Sequence, residues 1–218
     1  MAILAASSSS AAPDYTSLWP SYGGSCLLKA ETSTGPAGSW WDLPDGSFQV
    51  RGPGYLKDKV KVPSEAAAFE PVSVTAIDAD RVLFNVCARL KPLKAFLAAN
   101  TQESYLVTNR ACPVGKGRVR NIITVARRTL PAGSDPSFDL AFSGYVAGDH
   151  DHKNLRMKYL PRLSSAPWLL LSAVNVMGGQ RPVIMGKGYL TQQHLVGENY
   201  LEVSVDISSS KVAKKIAG

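Results

Sequence analysis

The tightest constraint on the fold lies in residues 197–209, which read GENYLEVSVDISS. Leu201, Val203, Val205 and Ile207 fall on one side of an extended chain, and Tyr200, Glu202, Ser204 and Asp206 on the other. A strict period of two marks a strand with one face toward a core and one polar face. Such a strand belongs in an antiparallel sheet with a second layer on one side. The expected fold class is therefore α+β, mainly antiparallel β-sheet with a few packed helices. A helix-grip (START-like) arrangement is one form that this class takes.

The rest of the chain supplies companions for that strand. Residues 69–77, 104–113 and 119–126 read as strands, the last two joined by a turn at 114–117. Asp80 reads as the cap of a helix through Leu83, Phe84, Cys87 and Leu90, which Pro92 must break or restart before Phe96 and Leu97. Ser134 and Asp135 precede a helix whose apolar positions, Phe138, Phe142 and Val146, are spaced by four. Residues 157–160 and 168–176 read as strands, and the near-continuous apolar run of the second predicts a central strand buried on both faces. Serines 208–210 can cap a last helix with Val212, Ala213 and Ile216 on one side and Lys211, Lys214 and Lys215 on the other. That is a small membrane-facing pattern. A fraying surface helix is the alternative at this length.

Residues 1–38 are rich in Ser, Ala and Gly and read as a flexible leader, studded with Tyr15, Leu18, Trp19 and Tyr22; residues 39–218 read as a single domain. At 45% hydrophobic and 19% charged, the chain can build a core and is not of the disordered class. No apolar run reaches the length of a membrane span, and the N-terminus lacks the basic start of a signal peptide. The expected location is cytoplasmic and peripheral to membranes, with organellar targeting open. Cys26, Cys87 and Cys112 are few and far apart, with no CxxC, which fits reduced thiols.

No catalytic set emerges. His150, His152 and His194 lie in no nucleophile-elbow, zincin or kinase signature. The run GDHDH at 148–152 offers metal-ligand types, but consecutive residues rarely converge on one ion. Glu202 and Asp206 share a strand face about 13 Å apart, too far for acid–base pairing. Asp206 reads instead as an acceptor for backbone N–H groups at the following turn. VGKGRVR at 114–120 lacks the P-loop spacing and reads as a hairpin turn. No cofactor and no internal repeat is expected.

Charge points to a partner. Lys plus Arg number 24 against 17 Asp plus Glu, a net +7, which fits an anionic partner or an uncommitted basic surface. Lys57, Lys59 and Lys61 alternate, so on an extended chain they share a face and form a row for phosphates. Equally, they read as lysines guarding an edge strand. Arg118 and Arg120 share a face in the same way, and Lys187 sits between two glycines where it can touch an anion or decorate a turn.

Several motifs recur in one known family. The ending G-x-x-Y-L-E-x-x-x-D-I-x-S-S-x-V-A is matched by Gly197, Tyr200, Leu201, Glu202, Asp206, Ile207, Ser209, Ser210, Val212 and Ala213. An opening of an aromatic followed by F-x-V-R-x-x-x-Y-x-x-x-K-x-K-x-P is matched by Trp41, Phe48, Val50, Arg51, Tyr55, Lys59, Lys61 and Pro63. Asn109 and Pro113 match a central V-N-x-x-x-P. Lys153, Asn154, Arg156, Lys158, Leu160 and Pro161 match R/K-N-x-R-x-K-x-I-P. Pro167 and Trp168 match P-W, and Pro182, Gly186 and Lys187 fall on P-x-x-x-G-K. Over residues 39–215 the chain resembles the C-terminal domain of the plant Enhanced Disease Resistance 2 family. In larger relatives this domain follows a lipid-headgroup module and a steroid-transfer-type module. The resemblance implies a lipid- or membrane-associated domain and not an enzyme. The candidate phosphate ligands are Arg51, Lys57, Lys59, Lys61, Arg118, Arg120 and Lys187; Trp41, Tyr55 and Trp168 are candidates to line an apolar pocket. The partner would be an anionic membrane lipid or a lipid-like ligand. The competing expectation is a structural subunit that interacts with other proteins in a larger, membrane-bound assembly. Nucleic acid is not expected, because no RRM, KH or zinc-finger signature is present.

Overall fold

A computed structural model of the chain describes residues 25–27, 29–30, 39–42, 44–159, 183–184 and 190–209. Its strands are β1 (Ser25–Cys26), β2 (Gln49–Arg51), β3 (Lys61–Pro63), β4 (Phe69–Ala79), β5 (Tyr105–Pro113), β6 (Val119–Arg128), β7 (Lys158–Tyr159), β8 (Val183–Ile184), β9 (Thr191–Val196) and β10 (Tyr200–Asp206). Its helices are α1 (Tyr55–Asp58), α2 (Val86–Arg89), α3 (Lys91–Ala99), α4 (Pro136–Ala147) and α5 (His150–Asn154). The fold is α+β. A six-stranded sheet runs in the order β1-β4-β6-β5-β10-β9, and β2-β3 and β7-β8 form two-stranded sheets of their own.

The alternating run at 200–206 is a strand, but its surroundings differ from the expectation in two respects. It pairs antiparallel with β9 and parallel with β5. A parallel partner needs a long crossover, and here α4 and α5 fall between the two strands in the chain. Its polar side is also covered, since Leu201, Glu202, Val203, Ser204 and Val205 are all buried. The pattern showed which residues share a face; it did not show that both faces are roofed.

On one face, Ile77, Tyr105, Val107, Ile123 and Val125 pack against Val86, Cys87, Leu90, Leu93 and Leu97 of α2 and α3. On the other, Leu201, Val203 and Val205 meet Leu106, Phe142, Tyr145, Val146, Met157 and Tyr159. Asp135 caps α4 by accepting from the N–H groups of Ser137 and Phe138, and Pro136 presets its first turn. Pro92 likewise opens α3, so the chain restarts its helix there as the sequence indicates.

The start of α2 departs from the reading. Asp80 caps nothing in α2; residues 81–85 form a loop pinned by side chains from the sheet. Asn121 Oδ1 accepts from Leu83 N at 2.9 Å, and Asn109 Nδ2 donates to Leu83 O at 2.5 Å. The helix then begins at Val86, after Asn85 in the left-handed region at φ 56°.

Ser25–Cys26 falls within the expected leader, yet it pairs with Ala76 and Thr75 of β4 and extends the sheet. Lys29 ties this strand down, pairing with Asp42 at 2.6 Å and Glu70 at 3.5 Å. The expected strand at 168–176 and the last helix beyond residue 209 lie outside the described residues.

Candidate functional site

The basic residues around 51–61 sit on a hairpin. β2 and β3 pair Gln49 with Pro63, Val50 with Val62 and Arg51 with Lys61. Between them the chain makes one helical turn, α1, closed by the Lys59 N–H bonding back to Tyr55 O. Lys59 adopts φ 60°, a left-handed conformation that ends the turn. Asp58 Oδ1 accepts from Val60 N at 2.8 Å, so its carboxylate is folded into the same turn. Gly54 leaves the space this needs, because a Cβ there would lie 2.6 Å from Asp58 Oδ2.

This geometry corrects the expected lysine row. Lys57 is helical, Lys59 is left-handed and Lys61 lies in β3, so the three do not line one face of an extended strand. The physical cause is the Gly52-Pro53-Gly54 sequence, which turns the chain before the lysines begin. A different cluster forms instead. The Arg51 guanidinium lies 4.8 Å and the Lys59 ammonium 5.6 Å from the Tyr55 ring centroid. Tyr55 is thus a platform for two cations. Lys59 Nζ also donates to Leu56 O at 3.0 Å, which fixes its direction. Among the described residues, none of Arg51, Lys57, Lys59 and Lys61 pairs with a carboxylate. The hairpin also presents Phe48, Val50, Leu56 and Val60 to solvent. The sequence reading missed Leu56 and Val60; their signal was two apolar residues interleaved with lysines next to a turn.

Arg118 and Arg120 are engaged elsewhere. Arg120 grips Asp78 with two bonds of 2.7 and 2.8 Å, and Arg118 Nη2 donates to Asp78 O at 3.1 Å. The hydrogen bond from Arg120 holds the Asp78 carboxyl below its ordinary range. The Arg120 guanidinium is therefore already paired with a carboxylate, unlike the hairpin cations among the described residues. Trp41 is half-buried, while Lys187 and Trp168 lie outside the described residues.

A cleft of about 140 Å³ lies between α4 and the β9–β10 turn, lined by residues that include Phe69, Tyr105, Phe142, Val146, Tyr200 and Leu201. Neither Trp41 nor Tyr55 borders it. Gly197 is required at its edge, since a Cβ there would stand 2.2 Å from the Tyr200 ring. Close by, His150 and His194 have ring centroids 5.4 Å apart, and the Tyr145 hydroxyl lies 3.3 Å from His194 Nε2. Among the described residues no three His, Cys, Asp or Glu side chains converge on a metal position.

Residues 40–218 match the family model described as Protein ENHANCED DISEASE RESISTANCE 2, C-terminal. The chain is 29% identical over 179 residues to an Arabidopsis thaliana protein named ENHANCED DISEASE RESISTANCE 2-like. That alignment covers 82% of this chain and 23% of the relative, so the chain spans less than a quarter of that protein's length. No solved structure matches the chain. No helix among the described residues is long and apolar enough to cross a membrane.

Proposed function

Because the chain belongs to the ENHANCED DISEASE RESISTANCE 2 C-terminal family, we propose that it is a non-catalytic domain, peripheral to membranes, that holds anionic lipid headgroups on the hairpin at residues 48–64. The observation that carries this reading is the set of cations on that hairpin that pair with no carboxylate among the described residues. Residues 48–64 hold Arg51, Lys57, Lys59 and Lys61 against one acid, Asp58, a local excess of three charges. Each cation near an anionic surface contributes about 1 kcal/mol, so the excess amounts to about 3 kcal/mol. That supports weak, reversible, salt-sensitive docking from the cytoplasmic side. Arg118 and Arg120 are secondary ligands, because recruiting them to phosphate means releasing Asp78.

Flotation of the purified chain with vesicles, with and without phosphatidylserine or a phosphoinositide, tests this at low and high salt. The expected result is flotation with anionic vesicles alone, lost at high salt, and lost at low salt in Lys57→Glu/Lys59→Glu/Lys61→Glu. Binding indifferent to both lipid charge and these substitutions would overturn it. The second reading, a subunit of a larger membrane-bound protein assembly, is favoured by Leu140, which is exposed on the outer face of α4. It takes precedence if no vesicle binds under any condition.

A further inference from the structure

The hairpin carries a feature that charge does not explain. Leu56, on α1, is 80% exposed, and Val60, just after the turn, is 53% exposed. Neither belongs to a core cluster on either face of the large sheet. β2 and β3 pair with each other and with no other strand among the described residues. The turn between them, the tip of the hairpin, is largely exposed, with apolar side chains on it and cations on either side in sequence.

We propose that this tip is an insertion device: Leu56 enters the interfacial region of an anionic bilayer, with Val60 beside the headgroups, while Arg51, Lys57, Lys59 and Lys61 hold phosphates around it. The inference rests on the membrane reading above and deepens it by naming how the hairpin engages its partner. Three observations select a bilayer as the occupant. First, the cations flank the apolar residues at 51, 57, 59 and 61, and lysine and arginine stems can lie along acyl surface while their heads stay at headgroup level. Second, Asp58, the acid of the tip, has its carboxylate bonded to Val60 N, which turns it into the loop. Third, a stable protein partner needs a broad patch, about 800 Å² on each side. The tip exposes two apolar residues, Leu56 and Val60, against the roughly 20–30 residues such a patch takes. Tyr55 sets the geometry, because its ring orders Arg51 and Lys59 before any lipid arrives.

The experiment uses the full chain and vesicles of phosphatidylcholine with and without phosphatidylserine. Co-sedimentation compares the parent with Leu56→Ala and Leu56→Asp. An environment-sensitive fluorophore on Leu56→Cys, in a Cys26→Ser/Cys112→Ser background with Cys87 buried, is challenged with spin-labelled lipid and with aqueous iodide. Leu56 lies on the surface, so circular dichroism and the melting midpoint of its variants should match the parent. Burying one leucine corresponds to about a ten- to hundredfold change in affinity. The expected result is a loss of about tenfold or more in Leu56→Asp, a smaller loss in Leu56→Ala, and a probe quenched by lipid and shielded from iodide. If the parent binds anionic vesicles while Leu56→Asp binds equally and the probe stays open to iodide, the insertion is overturned and headgroup docking stands. If the parent binds no vesicle at all, both fall.

Discussion

Glu202 is 1% exposed and forms no ion pair among the described residues. Its carboxylate is instead held by donors: Val86 N and Cys87 N at 2.9 Å each, and the Ser204 hydroxyl at 2.7 Å. The two N–H groups open α2, where a helix leaves donors unpaired and favours negative charge. One side chain of β10 thus docks a helix that lies 115 residues earlier in the chain. Glu202→Gln replaces one acceptor oxygen with a donor, so one of the two N–H groups loses its partner. The expected cost is about 1–3 kcal/mol, and Glu202→Leu, which strips both, should cost more. Urea unfolding measures it: the midpoint should fall with the slope unchanged. An unchanged midpoint for both variants would show that the carboxylate does not hold the helix. The same ending contains Asp206, which accepts from Ser209 N at 3.0 Å as the sequence suggested. Leu201 fills the core on the opposite face from Glu202. The motif from Gly197 to Asp206 was legible as a pattern. The buried carboxylate was not, because alternation alone reads Glu202 as a solvent-facing residue.

Elements with local causes were readable, and those with distant causes were not. α4 follows from Asp135, Pro136 and the four-residue spacing of its aromatics, and Phe138 and Phe142 do stack, with centroids 5.7 Å apart. The start of α2 was unreadable because Asn109 and Asn121 of the sheet hold residues 81–85 out of helix. The lysine row failed for a local reason: one helical turn and the left-handed Lys59 fall among the lysines, so their alternation in sequence is not alternation along a strand. α5 carries its own prediction. Its His150 and buried Lys153 face His194 of β9, as Tyr145 does from α4. Burial, with smaller contributions from His150 and Lys153, pushes His194 down to about 4 from an ordinary 6.5. The unfolded chain therefore binds a proton that the folded one refuses across this window. Stability from this contact is full above about pH 6.5 and is lost as pH falls toward 4. The melting midpoint should drop between those values, and His194→Gln should flatten that drop. An identical pH profile in the variant would show that α5 and β9 are not coupled through this ring.

At the scale of the whole molecule, the proposed membrane reading turns on where a lipid could be held. The sheet is roofed on both faces, by α2 and α3 on one side and α4 on the other, and apolar side chains pack at both interfaces. The cleft beside the β9–β10 turn holds about 140 Å³. A cavity near 150 Å³ takes a benzene-sized guest, whereas a site for a drug-sized ligand needs about 300–1,000 Å³. A sterol or a two-chain lipid does not fit this cleft, so among the described residues the proposed lipid contact falls on the surface. The net charge of +7 favours the same outcome, because a surface site gains from every cation that reaches the headgroups. The expected result is that organic extraction of the purified chain yields no stoichiometric lipid. Sterols and fatty acids in vesicle-free buffer should leave its melting midpoint unchanged, since a bound ligand would raise it by mass action. Anionic vesicles, in contrast, should retain the chain. One lipid recovered per chain, or a midpoint that climbs with free sterol, would replace the surface reading with an enclosed site and move attention from the hairpin to the interior.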